Sequence, residues 1–154
     1  MRLINPCDHL SKPARKTAYA SHDLLEESLV YSSLAESFAD LDLTIATTAK
    51  KRTSRVEVLH PRELGKEIEA KGSAVRNVGI IFGREESGLT TEEINLCDLV
   101  SSVPLQTSYP SLNLAQSVLI YAYELSAFSQ PEEGDAGTEA PEAVSYTHLR
   151  AHET

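Results

Sequence analysis

Three segments constrain the fold more than anything else in the chain: "LDLTIATTA" (41–49), "NVGIIF" (77–82) and "LVSSV" (99–103). None alternates polar with apolar residues, as a strand with one wet face must. Strands that are apolar or β-branched throughout are covered on both faces, which is the habit of parallel sheets. The segments between them carry helical signals. His60-Pro61 opens "PRELGKEIEAKG", which Gly72 stops, and Thr90 with Glu93 forms a capping-box pattern ahead of "TTEEINLC". Ser111 stands as the cap of a long helix, "LNLAQSVLIYAYELSAF", with Leu112, Ala115, Leu119 and Ala122 on one face. Upstream, "MRLIN" reads as a strand closed by Pro6, and Ser11 with Pro13 starts a modest helix, "ARKTAYA". "SLAESFADL" places Leu34, Phe38 and Leu41 at helical spacing. Strands alternating with helices predict an α/β fold built on a parallel sheet.

Composition separates this domain from its tail. At 154 residues and 41% apolar the chain is long enough for one compact core and too short for two full domains. The net charge of −9 is unevenly placed: residues 131–154 hold six of the 23 acidic side chains and one of the 14 basic ones, which leaves residues 1–130 at −4, from 13 basic against 17 acidic. The domain is expected to span 1–130. Residues 131–143, "PEEGDAGTEAPEA", are too poor in large apolar residues to repay their ordering entropy and read as a solvated linker. Residues 144–154, "VSYTHLRAHET", resemble the translation of a sequencing adapter and are set aside as a non-native tail. No apolar run approaches the roughly 20 residues that cross a bilayer. With no signal-peptide pattern either, the chain reads as cytoplasmic and without a membrane partner. Cys7 and Cys97 have no metal-ligand spacing, and His9, His22 and His60 have no partners at diagnostic intervals, so no metal is expected.

In sheets of this kind ligands bind beyond the carboxyl ends of the strands. Three such ends are distinctive here: Thr47-Thr48-Ala49, then Gly83-Arg84-Glu85-Glu86-Ser87-Gly88, then Pro104-Leu105 leading to Ser111-Leu112-Asn113. A Walker loop needs a lysine after its last glycine, where Leu89 stands, and a dinucleotide fingerprint needs a third glycine. Glu85 and Glu86 are adjacent, so they point apart and make a poor acid/base pair.

Taken together, "IIFGREESGLTTEEI" and "VPLQTSYPSLNLAQSVLIYAYEL" resemble the second and third motifs of the SpoU-type RNA ribose methyltransferases, and "TIATTAKKR" resembles the strand end before them. The wording "FGRE" and "YPSLNL" is most similar to the branch that methylates ribose 32 of the tRNA anticodon loop. The resemblance spans about residues 3–128 and implies the parallel-sheet fold of the SPOUT class with a carboxyl-terminal trefoil knot, although knots are nearly absent from proteins. It further implies S-adenosylmethionine as cofactor, tRNA or rRNA as substrate, and a homodimer joined through the knot region. The cofactor residues so implied are Thr47, Thr48 and Ala49, Gly83, Val103 and Leu105, and Ser111, Leu112 and Asn113. Gly83 would allow close backbone approach, Glu85 would accept loop N–H groups, and Gly88 would complete the turn. Lys50, Lys51, Arg52 and Arg55 form an RNA-facing candidate, since phosphate contacts supply most sequence-independent affinity. The family's first motif, Asn-x-Gly followed by the arginine that engages the target ribose, would fall before Met1. The catalytic residue is therefore unassigned, and the chain is expected to lack its first strand–helix unit and to be inactive alone. A non-catalytic RNA-binding module that keeps the knot, and an unrelated α/β nucleotide-binding domain, stay open as alternatives.

Overall fold

The structure, a computed structural model, describes residues 1–49, 57–106, 112–126 and 128. The expected linker (131–143) and tail (144–154) lie outside the described residues, as do Lys50, Lys51, Arg52, Arg55 and Ser111. The backbone groups into two compact units, one holding Met1–Ser37 and the other Phe38–Pro131.

In the first unit, β1 (Arg2–Ile4) pairs in parallel with β2 (Leu29–Tyr31), Leu3 opposite Val30. A parallel pair needs a long crossover, here α1 (Lys12–Thr17) and α2 (His22–Glu26). Sequence patterning anticipated β1 and the start of α1 but neither α2 nor β2. The Arg2 guanidinium donates to the Ser37 carbonyl and lies over the Tyr31 ring, 5.8 Å from its centroid. The helical face expected from Leu34, Phe38 and Leu41 is corrected: only a 3-10 turn, Glu36–Phe38, forms there. Local serines explain it. Both the Ser32 N–H and hydroxyl donate to Glu36, the Glu36 N–H donates to Ser33 Oγ, and the Ser37 hydroxyl donates to the Leu34 carbonyl. Such side-chain-to-backbone bonds compete with a helix for the same groups.

In the second unit, β3 (Leu43–Thr47), β4 (Val58–Leu59), β5 (Val78–Ile81) and β6 (Leu99–Ser101) form an all-parallel sheet in the order β4-β6-β3-β5. Three of these strands were legible from their apolar runs, while β4 was not. The sheet is covered on both faces. Leu43 and Ile45 of β3 cluster with Leu64 of α3 (Pro61–Ala70) and Tyr121 of α5 (Leu114–Ser126). Ala46, one residue out of phase, points the other way and clusters with Val100 and with Ile94 of α4 (Thr91–Asn95). The helix boundaries follow the expected chemistry at two ends: Thr90 and Glu93 exchange both capping-box bonds, at 3.1 and 2.7 Å, and Gly72 turns the chain out of α3 at φ +72°.

Helix α5 departs from expectation twice. It begins at Leu114, two residues later than "LNL" suggested, capped by Asn113, whose Oδ1 accepts the Gln116 N–H at 2.8 Å. Its packed side carries Leu114, Ser117, Tyr121 and Leu125, whereas Leu119 of the anticipated face is 62% exposed. The apolar residues run around most of this helix, so periodicity alone could not phase it.

At the amino ends of β3 and β6, the Thr44 N–H and hydroxyl both donate to Asp98 Oδ2, at 2.8 and 2.7 Å. Thr44 is buried, so Asp98→Ala leaves two donors without a partner. The expected loss is about 1–3 kcal/mol. Urea denaturation measures it, and a midpoint equal to wild type would contradict it.

Candidate functional site

Two hydrogen bonds level the carboxyl ends of three neighbouring strands. The Thr47 hydroxyl donates to the Ile81 carbonyl at 2.8 Å, joining the end of β3 to β5, and the Thr48 N–H donates to the Ser101 carbonyl at 3.0 Å, joining it to β6. The loops leaving those strands, with the inner face of α5, enclose a cavity of about 690 Å³. Of the cofactor residues implied by sequence, Thr47, Thr48, Ala49, Gly83, Val103, Leu105 and Leu112 line it together. Asn113 is not among the lining residues; it serves as the cap of α5. Ser111 lies outside the described residues.

The loop 83–88 closes on itself. The Gly88 N–H donates to the Arg84 carbonyl at 2.8 Å, and the two residues form an antiparallel bridge. Gly88 sits at φ +70°, a conformation glycine takes without steric cost. At Gly83 a Cβ would overlap the backbone of Gly88 and Leu89. The glycine there is required by the loop's own closure, and it also lines the cavity. Glu85 is also reassigned. It is exposed and makes no hydrogen bond among the described residues, whereas Glu93 accepts the Thr90 N–H and stands 3.4 Å from the Arg84 guanidinium. That ion pair is exposed on its arginine side, so it is worth about 0–1 kcal/mol at most and directs Arg84 more than it stabilises the loop.

The cavity wall also includes residues outside the implied cofactor set: the motif leucines Leu89 and Leu114, and Phe82, Ser117 and Tyr121. Leu114, Ser117 and Tyr121 recur at three and four residues and form the inward helical face, in place of the expected face of Leu112, Ala115, Leu119 and Ala122. Tyr121 is 2% exposed and points inward. Its ring meets Phe82 edge-on, at 5.5 Å between centroids and 83° between planes. Burial pushes the Tyr121 phenol above its usual pKa, partly offset by its bond to Ser101, so the hydroxyl keeps its proton at neutral pH. Cys97, half-buried behind α4, is pushed up to about 11 by burial and by the Asp98 charge, which makes it a poor nucleophile. Among the described residues there is no cluster of three or more His, Cys, Asp or Glu able to hold a metal ion, and no helix long and apolar enough to cross a membrane.

The wall suits a ligand without phosphates. Among the described residues it presents hydroxyls, backbone groups and aliphatic or aromatic side chains, with the charged residues Arg84, Glu85 and Glu86 all on the exposed loop. The uncharacterized tRNA/rRNA methyltransferase LasT of Escherichia coli (strain K12) is 40% identical over 137 residues, covering 88% of this chain and 60% of LasT. The tRNA (cytidine-2'-O-)-methyltransferase TrmJ of Methanocaldococcus jannaschii is 34% identical over 129 residues, covering 81% of this chain and 54% of that protein. The crystal structure of TrmJ from Z. mobilis ZM4 superposes with a TM-score of 0.73 at 32% identity, over 91% of this chain and 59% of that one. The chain thus spans little more than half the length of these relatives. The family model described as SpoU rRNA Methylase matches residues 1–123, and on that match this chain belongs to the SpoU rRNA methylase family.

Proposed function

We propose that the protein of which this chain is at least a part transfers a methyl group from S-adenosylmethionine to a ribose 2′-hydroxyl of tRNA or rRNA in the cytoplasm. The observation that carries the reading is the convergence of three strand-end loops on one cavity, in a chain of the SpoU family. The TrmJ name borne by the archaeal relative describes ribose methylation of tRNA, which favours tRNA as the substrate class. S-adenosylmethionine supplies an activated methyl on a sulfonium and carries no phosphate, consistent with a wall that offers no lysine among the described residues. In this reading Thr47, Thr48 and Ala49 shape the β3 side of the pocket, Gly83 and Gly88 hold the closed loop, and Val103, Leu105 and Leu112 provide its apolar surface. Ser111 belongs with them by sequence position. Lys50, Lys51, Arg52 and Arg55 supply phosphate contacts for the RNA, because they follow directly on the β3 end that lines the pocket.

Titration calorimetry with S-adenosylhomocysteine, together with radiolabelled methyl incorporation into unmodified tRNA and rRNA, tests the reading. Failure to bind the nucleoside overturns the cofactor assignment. Incorporation by this chain would place the ribose-engaging group among its own residues, with Arg52, Arg84 and Glu85 the first to replace.

The same reading includes a trefoil knot, residues 104–128 passing through a loop of the preceding chain, supported by family membership. An experimental backbone over 40–128 that straightens when its ends are pulled would overturn it. It also includes a two-fold dimer. Val118, Leu119 and Tyr123 are 43%, 62% and 74% exposed on α5, an apolar surface of the kind that marks an interface. Light scattering is expected to give twice the chain mass at micromolar concentration, and a stable monomer would count against the dimer.

A further inference from the structure

One polar relay runs through the apolar interior behind the cavity. The Tyr121 hydroxyl lies 3.0 Å from Ser101 Oγ and donates to it, and the Ser101 hydroxyl donates to the Leu59 carbonyl at 2.9 Å. That carbonyl also accepts the Ser102 N–H at 3.0 Å. The relay therefore ties α5, β6 and β4 through groups that are almost wholly buried: Ser101 is 0% and Tyr121 2% exposed. A hydroxyl buried this deeply is costly unless satisfied, and phenylalanine would fill the same space without that cost. What the hydroxyl adds is direction. It anchors the far end of a ring that packs edge-on against Phe82, and Phe82, just after β5, and Tyr121, on α5, both line the cavity.

We infer that Tyr121 is a positioning residue of the nucleoside pocket: anchored on Ser101, its ring sets the placement of Phe82 and so the shape of the pocket's inner wall. The inference rests on the cofactor reading above, and it assigns to the relay a part in binding that the motifs leave to the loops. Neither Tyr121 nor Ser101 is among the cofactor residues implied by the motifs, and Ser101 lies outside the motif stretches.

The relay makes an unusual pattern testable. Ser101→Ala strands the Tyr121 hydroxyl in an apolar wall, so that the ring must move to find a partner. Tyr121→Phe removes the donor but leaves Ser101 bonded to Leu59. The double variant removes both groups together, which is nearly neutral where the shapes are kept. Dissociation constants for S-adenosylhomocysteine, measured by calorimetry on the full chain well below each variant's melting temperature, should therefore rank non-additively. Ser101→Ala is expected to weaken binding about tenfold and Tyr121→Phe about threefold, with the double variant recovering to within about threefold of wild type. Melting temperatures recorded in parallel separate a purely structural role, which would lower stability and leave the affinity of the folded protein unchanged. Unchanged affinity in both single variants, or additive losses in the double, would overturn the inference while leaving the cofactor reading intact. Wild-type protein that does not bind the nucleoside would overturn both. Should Ser101→Ala not fold, the affinity of Tyr121→Phe decides alone.

Discussion

Gly83→Ala is expected to weaken binding of S-adenosylhomocysteine sharply while costing the fold comparatively little. A Cβ at this position meets the Gly88 carbonyl carbon and the Leu89 nitrogen, which are backbone atoms with no rotamer to yield. The loop must open, and the bond from the Gly88 N–H to the Arg84 carbonyl, with the bridge it belongs to, is the first to go. Because residues 83–89 form one side of the cavity, the displacement moves the wall itself. With the wall displaced, affinity is expected to fall by at least about tenfold, or about 1.4 kcal/mol. The accompanying strain is an overpacking cost of about 1–3 kcal/mol, confined to a loop outside the core. Calorimetry and a thermal melt on the same sample separate the two effects. Binding within about threefold of wild type would show that the loop tolerates the methyl, and that the glycine's role in the site has been misassigned.

Ile45→Ala should produce the opposite signature, a large loss of stability from a residue that touches no ligand. Ile45 is 0% exposed on β3, an interior strand, with Ile80 opposite it on β5 and Leu99 on β6. It packs in the cluster with Leu64 and Tyr121, so truncation opens a void between sheet and helices that neither side can collapse to fill. Buried isoleucine to alanine costs about 2–5 kcal/mol. Set against a typical total of about 5–15 kcal/mol, that is a large fraction. The melting temperature should fall by about 4–8 °C for each kcal/mol lost. Leu96→Ala, at a side chain 54% exposed, is the control and should melt with wild type. A fall of less than about 4 °C for Ile45→Ala would mean that the core is packed more loosely than its burial indicates.

Much of the fold could be read directly from residue patterns. β3, β5 and β6 announced themselves because a strand covered on both faces must be apolar on both, whatever its neighbours are. The start of α4 and the end of α3 were equally legible, since a capping box and a glycine at positive φ are satisfied within a few residues of chain. The closed turn at 83–88 was legible for the same reason: it depends on two glycines a few residues apart.

What the sequence by itself determined, then, is whatever is settled by contacts a few residues long: strand character, helix ends, the turn at Gly83–Gly88, and the residue types at the three strand ends. Only the tertiary structure decided the rest. β2 and β4 are three and two residues long and exist because a parallel neighbour pairs with them, so no local signal marks them. The helical spacing of Leu34, Phe38 and Leu41 lost to serine and glutamate side chains that claimed the same backbone groups. The inward face of α5 was ambiguous while apolar residues ringed the helix, and packing against β3 and α3 chose Tyr121 over Leu119. The Tyr121–Ser101–Leu59 relay joins residues 20 and 42 positions apart. A hydrogen bond of that span is a consequence of the fold, and no periodicity along the chain can encode it.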